Sequence, residues 1–75
     1  MRSRLPDAAM VYLMSTANAD APLHRRAAAK LLLECFRIYA TEDEVRECLD
    51  MTARAMPQVA EEARAIAFEA GLQLS

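Results

Sequence analysis

Residues that break helices are rare in this chain, and their positions limit what it can fold into. The 75 residues include a single glycine, Gly71, and three prolines, Pro6, Pro22 and Pro57. Sixteen alanines, with few β-branched or aromatic side chains, favour helix along the whole chain. Proline is tolerated in the first turn of a helix and glycine just past its last turn, so these four residues predict helix boundaries. The expected fold is all-α.

We predict a single helical domain over residues 1–75, built as a small bundle of three to four short helices. The apolar residues recur at helical spacing, which places these helices at about residues 6–18, 21–39, 41–56 and 57–70. The third helix has the clearest start, because Thr41 and Glu44 match the capping box, in which each side chain bonds the other residue's backbone N–H.

Pro57 leaves two alternatives for the end of the chain. It can begin a fourth helix that is capped by Gly71. The apolar spacing also keeps its phase across the proline, which is typical of one long kinked helix. A break or sharp bend at Pro57 is the favoured interpretation, with Leu72 beyond Gly71 either loose or packed into the core.

The composition is typical of a soluble protein. Apolar residues make up 55% of the chain and charged residues 27%, and no segment is long enough to span a membrane. We expect a cytoplasmic protein, and eight arginines against one lysine indicate a GC-rich bacterial genome. Residues 1–19 have the charged, apolar and small-residue order of a cleaved secretory signal, but Pro6 and Asp7 interrupt it. We interpret this segment as the first helix.

Few residues could carry catalysis or bind a metal ion. Cys35 and Cys48 fall on apolar helix positions and are expected to be reduced core residues, which could approach each other across a helical hairpin. The one histidine, His24, lies eleven residues before Cys35 on the same helix, or about 16 Å along its axis, too far for a nucleophile pair. These three side chains cannot complete a zinc tetrad. We therefore expect no enzyme, no cofactor, no metal site and no small-molecule substrate.

Large apolar side chains exceed what so small a bundle can bury. Leucine, isoleucine, valine, methionine, phenylalanine and tyrosine together number 23, and each helix of a small bundle buries roughly one stripe. Either the second helix is central and covered on most sides, or an apolar patch stays exposed as an interaction surface. The exposed patch is favoured. The predicted protein-binding residues are Val11, Tyr12, Met14, Leu32, Phe36 and Tyr39.

The favoured function is a non-enzymatic protein–protein interaction module. It would act as an adaptor, a chaperone or an antagonist (inhibitor) of another protein, and it would self-associate as a homodimer. Polar side chains at the start of the second helix are a second docking set, which comprises His24, Arg25, Arg26 and Lys30.

The alternative function is a small DNA-binding transcriptional regulator that uses this basic start of the second helix. The charge distribution argues against nucleic acid. Residues 1–37 carry six basic and three acidic groups, whereas residues 38–75 carry three basic and eight acidic groups. The helix that would enter the major groove has four acids between Glu42 and Glu47, which would face phosphates.

Overall fold

The computed structural model describes residues 5–39 and 41–72, and these residues form four helices and no strand. The helices are α1 (Asp7–Asn18), α2 (Leu23–Ile38), α3 (Glu42–Ala55) and α4 (Pro57–Glu69). Each end lies within two residues of its predicted position, so the all-α bundle is confirmed. The first four residues of the signal-like segment lie outside the described part.

Pro57 separates α3 from α4. Met56, the residue before it, has φ −137° and ψ 73°, which lies outside the helical region. Proline disfavours helical backbone in the preceding residue, because its Cδ atom clashes with that residue's N–H and Cβ. The favoured break at Pro57 is therefore confirmed, and the single kinked helix is wrong.

The predicted capping box is present at the start of α3. The Thr41 hydroxyl accepts a hydrogen bond of 3.2 Å from the Glu44 N–H, and the Glu44 carboxylate accepts one of 3.1 Å from the Thr41 N–H. Both donors belong to the end of a helix, where backbone N–H groups lack partners within the helix.

We expect Thr41→Ala to lower the free energy of unfolding by about 1 kcal/mol, because the Glu44 N–H loses its acceptor. Urea denaturation followed by circular dichroism measures this. Ser15→Ala, at an exposed position inside α1, is the control and should change stability by less than about 0.5 kcal/mol. Equal stability of Thr41→Ala and the unmodified protein would show that the cap contributes nothing.

Gly71 ends α4 in a left-handed turn. Its φ is 84°, a value that favours glycine, and the turn carries the two hydrogen bonds of a Schellman motif. The Leu72 N–H donates to the Ala67 carbonyl at 2.8 Å, and the Gly71 N–H donates to the Phe68 carbonyl at 3.1 Å. The turn places Leu72 in the core, where it is buried.

The central element is α2. It packs extensively against α1 and α4 and less against α3, which packs mainly on α4. The core joins Leu32 of α2 to Leu13, Leu49 and Ile66 of the three other helices. Helix α2 buries one broad face, whose residues are Ala28, Ala29, Leu32, Cys35 and Phe36.

In the described part of the chain, no helix combines the length and the apolar character that spanning a membrane requires.

Candidate protein-binding surface

Helix α1 is apolar on two opposite faces. One face is buried and includes Ala9 and Leu13. The other exposes Met10, Val11 and Met14, with 64% of Val11 and 50% of Met14 accessible to solvent. Residues three and four apart are neighbours on a helix surface, so these three side chains form one continuous patch. We call Met10, Val11 and Met14 the α1 stripe.

Two of the predicted binding residues are not on the surface. Leu32 is completely buried and Phe36 is 5% exposed, and both belong to the core cluster. The prediction that they line an exposed patch is wrong. The physical reason is the central position of α2. The other helices, mainly α1 and α4, cover the face of α2 that carries these two side chains.

Tyr12 is half-buried, and its hydroxyl links three helices. It donates a hydrogen bond of 2.5 Å to the Glu69 carboxylate on α4 and accepts one of 3.1 Å from Arg25 on α2. Arg25 also contacts Glu69 directly at 2.5 Å. Polar contacts thus hold Tyr12 against α2 and α4.

These contacts shift the acid–base equilibria of the group. The hydrogen bond to Glu69 raises the pKa of the Tyr12 phenol above its usual value. The hydrogen bonds from Arg25 and then from Tyr12 hold the pKa of the Glu69 carboxyl below its usual range. Glu69 is therefore ionised and paired at neutral pH, and the Tyr12 hydroxyl keeps its proton.

Tyr39 follows the last residue of α2. It is half-buried and packs against the core cluster. Electrostatic repulsion from the neighbouring Cys48 sulfur, followed by the hydrogen bond between the two side chains, raises the pKa of Tyr39 above its usual value. The outcome for the six predicted residues is that Val11 and Met14 are exposed and both tyrosines are half-buried.

The predicted polar docking set does not form one free basic surface. Arg25 forms ion pairs with Glu62 at 3.7 Å and with Glu69. Arg26 donates from Nε to the Ala21 carbonyl at 3.0 Å. His24 and Lys30 are exposed.

Two neighbouring pockets lie beside His24, where the start of α2 meets the start of α4. One pocket, of about 280 Å³, is also lined by Arg25, Glu61 and Glu62. The other, of about 410 Å³, is mostly apolar and is also lined by Met56 and Val59. Pockets that combine apolar and charged side chains suit an inserted side chain of a binding partner.

Sequence reasoning missed several exposed apolar residues outside the α1 stripe. Four of them lie off the buried stripe of their helix, which is the periodic signal that could have found them: Leu23, Ile38, Met51 and Phe68. The fifth, Met56, lies between α3 and α4.

Among the described residues, no group of three or more histidine, cysteine or acidic side chains is placed to hold a metal ion. Comparison with known protein families, with curated proteins and with solved structures gives no match.

Proposed function

We propose that this protein is a non-enzymatic helical interaction module that self-associates through the α1 stripe. The observation that carries the proposal is the exposure of Met10, Val11 and Met14 on a helix whose opposite face is already buried. A helix that is apolar nearly all round is typical of one that is covered on both sides. Methionine side chains also adapt to irregular surfaces, which suits a contact between proteins.

A second copy of the chain is the occupant that the stripe fits best. Asp7 is the one charged residue of α1, and it lies at the start of the helix. When two α1 helices pack antiparallel about a twofold axis that crosses the stripe midway between Val11 and Met14, Val11 faces the partner's Met14 and Asp7 faces the uncharged end at Asn18. Like charges stay apart, and the two helix dipoles oppose each other favourably.

The expected association is weak. Stable interfaces bury about 800 Å² on each partner, and a stripe of three side chains provides a fraction of that area. We therefore expect a dimer whose population rises with protein concentration over the micromolar to millimolar range. The α1 stripe would also serve an adaptor, chaperone or antagonist. In that case another protein would displace the second copy of the chain from the stripe.

Met14→Asp should abolish self-association and leave the circular dichroism spectrum unchanged, because it places a carboxylate at the centre of the contact. Sedimentation equilibrium over a range of concentrations measures the monomer–dimer ratio. Met51→Asp is the matched control: Met51 is 69% exposed but lies on α3, so this variant should associate like the unmodified protein.

Three results would contradict the proposal. The first is a protein that stays monomeric at millimolar concentration, and the second is a Met14→Asp variant that still dimerises. The third is an equal loss of association in Met51→Asp, which would place the contact elsewhere or make it a general charge effect.

DNA-binding regulation, the alternative function, has less support. Arg25 is paired with Glu62 and Glu69, so part of the positive charge at the start of α2 is neutralised inside the molecule. Salt-dependent binding of duplex DNA that disappears in an Arg26→Ala/Lys30→Ala variant would favour this alternative. We also propose a cytoplasmic location, where two free cysteines such as Cys35 and Cys48 persist as thiols.

A further inference from the structure

Two cysteines from different helices lie in direct contact. Cys35 is in the last turn of α2 and Cys48 is in the middle of α3, thirteen residues further along the chain. Their Sγ atoms are 3.1 Å apart, with the Cys35 thiol donating to the Cys48 sulfur, and both residues are free thiols. A disulfide needs the sulfur atoms at about 2.05 Å, so an approach of roughly 1 Å would close the bond.

The two thiols differ in their access to solvent. Cys35 is buried, whereas Cys48 is partly exposed at the edge of the core, next to the Tyr39 hydroxyl. Burial, followed by the hydrogen bond to Cys48, raises the pKa of the Cys35 thiol to about 12. Cys48 is therefore the thiol that meets a reagent from solution, and Cys35 is the thiol that acts second.

We propose that Cys35 and Cys48 form an oxidisable dithiol site, whose co-substrate is a hydroperoxide and whose product is a disulfide that joins α2 to α3. This inference is independent of the self-association proposed above, because neither cysteine lies on the α1 stripe. The disulfide would be a covalent modification of two residues that the sequence predicts to be reduced core cysteines able to approach each other across a helical hairpin.

The chemistry proceeds in two balanced steps. The Cys48 thiol gives up its proton, and the thiolate attacks one oxygen of hydrogen peroxide; the O–O bond breaks, Cys48 becomes a sulfenic acid, and the other oxygen leaves as hydroxide, which takes up the proton released by Cys48 and becomes water. The Cys35 sulfur then attacks the Cys48 sulfur, the S–O bond breaks, and the departing hydroxide takes the Cys35 proton as water. Two thiols lose two electrons, and one peroxide is reduced to two waters.

The disulfide would join two helices, α2 and α3, that pack only slightly against each other. Helix α3 has a smaller packed contact with α2 than with α4, so the cross-link ties α3 to the central helix where packing holds it least. The link also closes a loop of 14 residues, from Cys35 to Cys48, in the unfolded chain, which restricts the unfolded state. We expect oxidation to raise the melting temperature by on the order of 10 °C.

The test treats the folded, purified protein with hydrogen peroxide, alkylates the remaining thiols in denaturant and measures the intact mass. We expect monomers that have lost two hydrogens and take up no alkylating group. Cys35→Ala should instead give a Cys48 sulfenic acid that dimedone traps, and Cys48→Ala should leave Cys35 reduced while the fold is intact.

A second measurement keeps the proposal falsifiable if either variant fails to fold. The unmodified protein is equilibrated with reduced and oxidised glutathione, once folded and once in urea. Because a disulfide that stabilises the fold is itself stabilised by the fold, the intramolecular disulfide should be at least about tenfold more favoured in the folded protein. An equal or lower value in the folded protein would overturn the proposal, as would disulfide-linked dimers as the main product of peroxide treatment.

Discussion

Leu32→Ala is expected to lower the free energy of unfolding by about 3 kcal/mol or more, while Leu23→Ala on the same helix leaves it nearly unchanged. Leu32 is completely buried at the centre of the bundle, whereas Leu23 is 69% exposed. Removing a buried leucine side chain loses its transfer free energy and leaves a cavity that the neighbours fill only partly. Urea unfolding of the two variants at neutral pH, followed by circular dichroism, gives the comparison.

The expected loss is large for a domain of this size. At about 0.05–0.15 kcal/mol per residue, 75 residues have a total stability of roughly 4–11 kcal/mol. Leu32→Ala should therefore shift the thermal transition strongly to lower temperature. If the total stability is at the lower end of that range, part of the Leu32→Ala protein should be unfolded even without urea. Similar stabilities for the two variants would mean that Leu32 is not in the core, and that α2 is not the central helix.

The sequence predicts the helices well because the signals for them are local. Proline at the first turn, glycine past the last turn and the Thr41–Glu44 capping box each act within a few residues. The break at Pro57 follows from a steric clash with its immediate neighbour, Met56. Such features can be found without knowing how the helices pack.

The same reasoning fails for the second half of α2, because only Glu34 and Arg37 are charged there and the pattern does not separate a buried face from an exposed one. Hydrophobic periodicity identifies a buried face only when the opposite face is polar. Leu32 and Phe36 therefore satisfied the pattern of an exposed patch as well as that of a core. Val11 and Met14 of α1 satisfy the same pattern and are exposed, so the packing of each helix against its neighbours decides between the two cases.

Local sequence patterns also do not predict contacts between residues that are far apart in the sequence. Arg25 and Glu69 are 44 residues apart in the chain, and nothing in the spacing of either residue indicates their ion pair. Cys35 and Cys48 were expected only to be able to approach each other. Their contact depends on how α2 and α3 sit on either side of the turn at Thr41, which the packing of both helices on α4 determines.

The sequence pattern distinguishes buried from exposed positions least well for alanine, because this small side chain is common at both. Ala63 and Ala65 on α4 provide a test. Ala63 is completely buried, whereas Ala65, two residues along, is exposed. We expect Ala63→Leu to lower the free energy of unfolding by about 2 kcal/mol or more, because three additional carbon atoms must enter a packed helix contact. The melting temperature should fall by on the order of 10 °C.

Ala65→Leu is the matched control and should change stability by less than about 0.5 kcal/mol, because alanine and leucine have similar helix propensities and the new side chain extends into solvent. Thermal unfolding of both variants measures the difference. Equal melting temperatures would show that α4 does not press closely on its neighbours at Ala63. A lower value for Ala63→Leu alone would show that small side chains set the helix spacing, which a count of sixteen alanines cannot reveal.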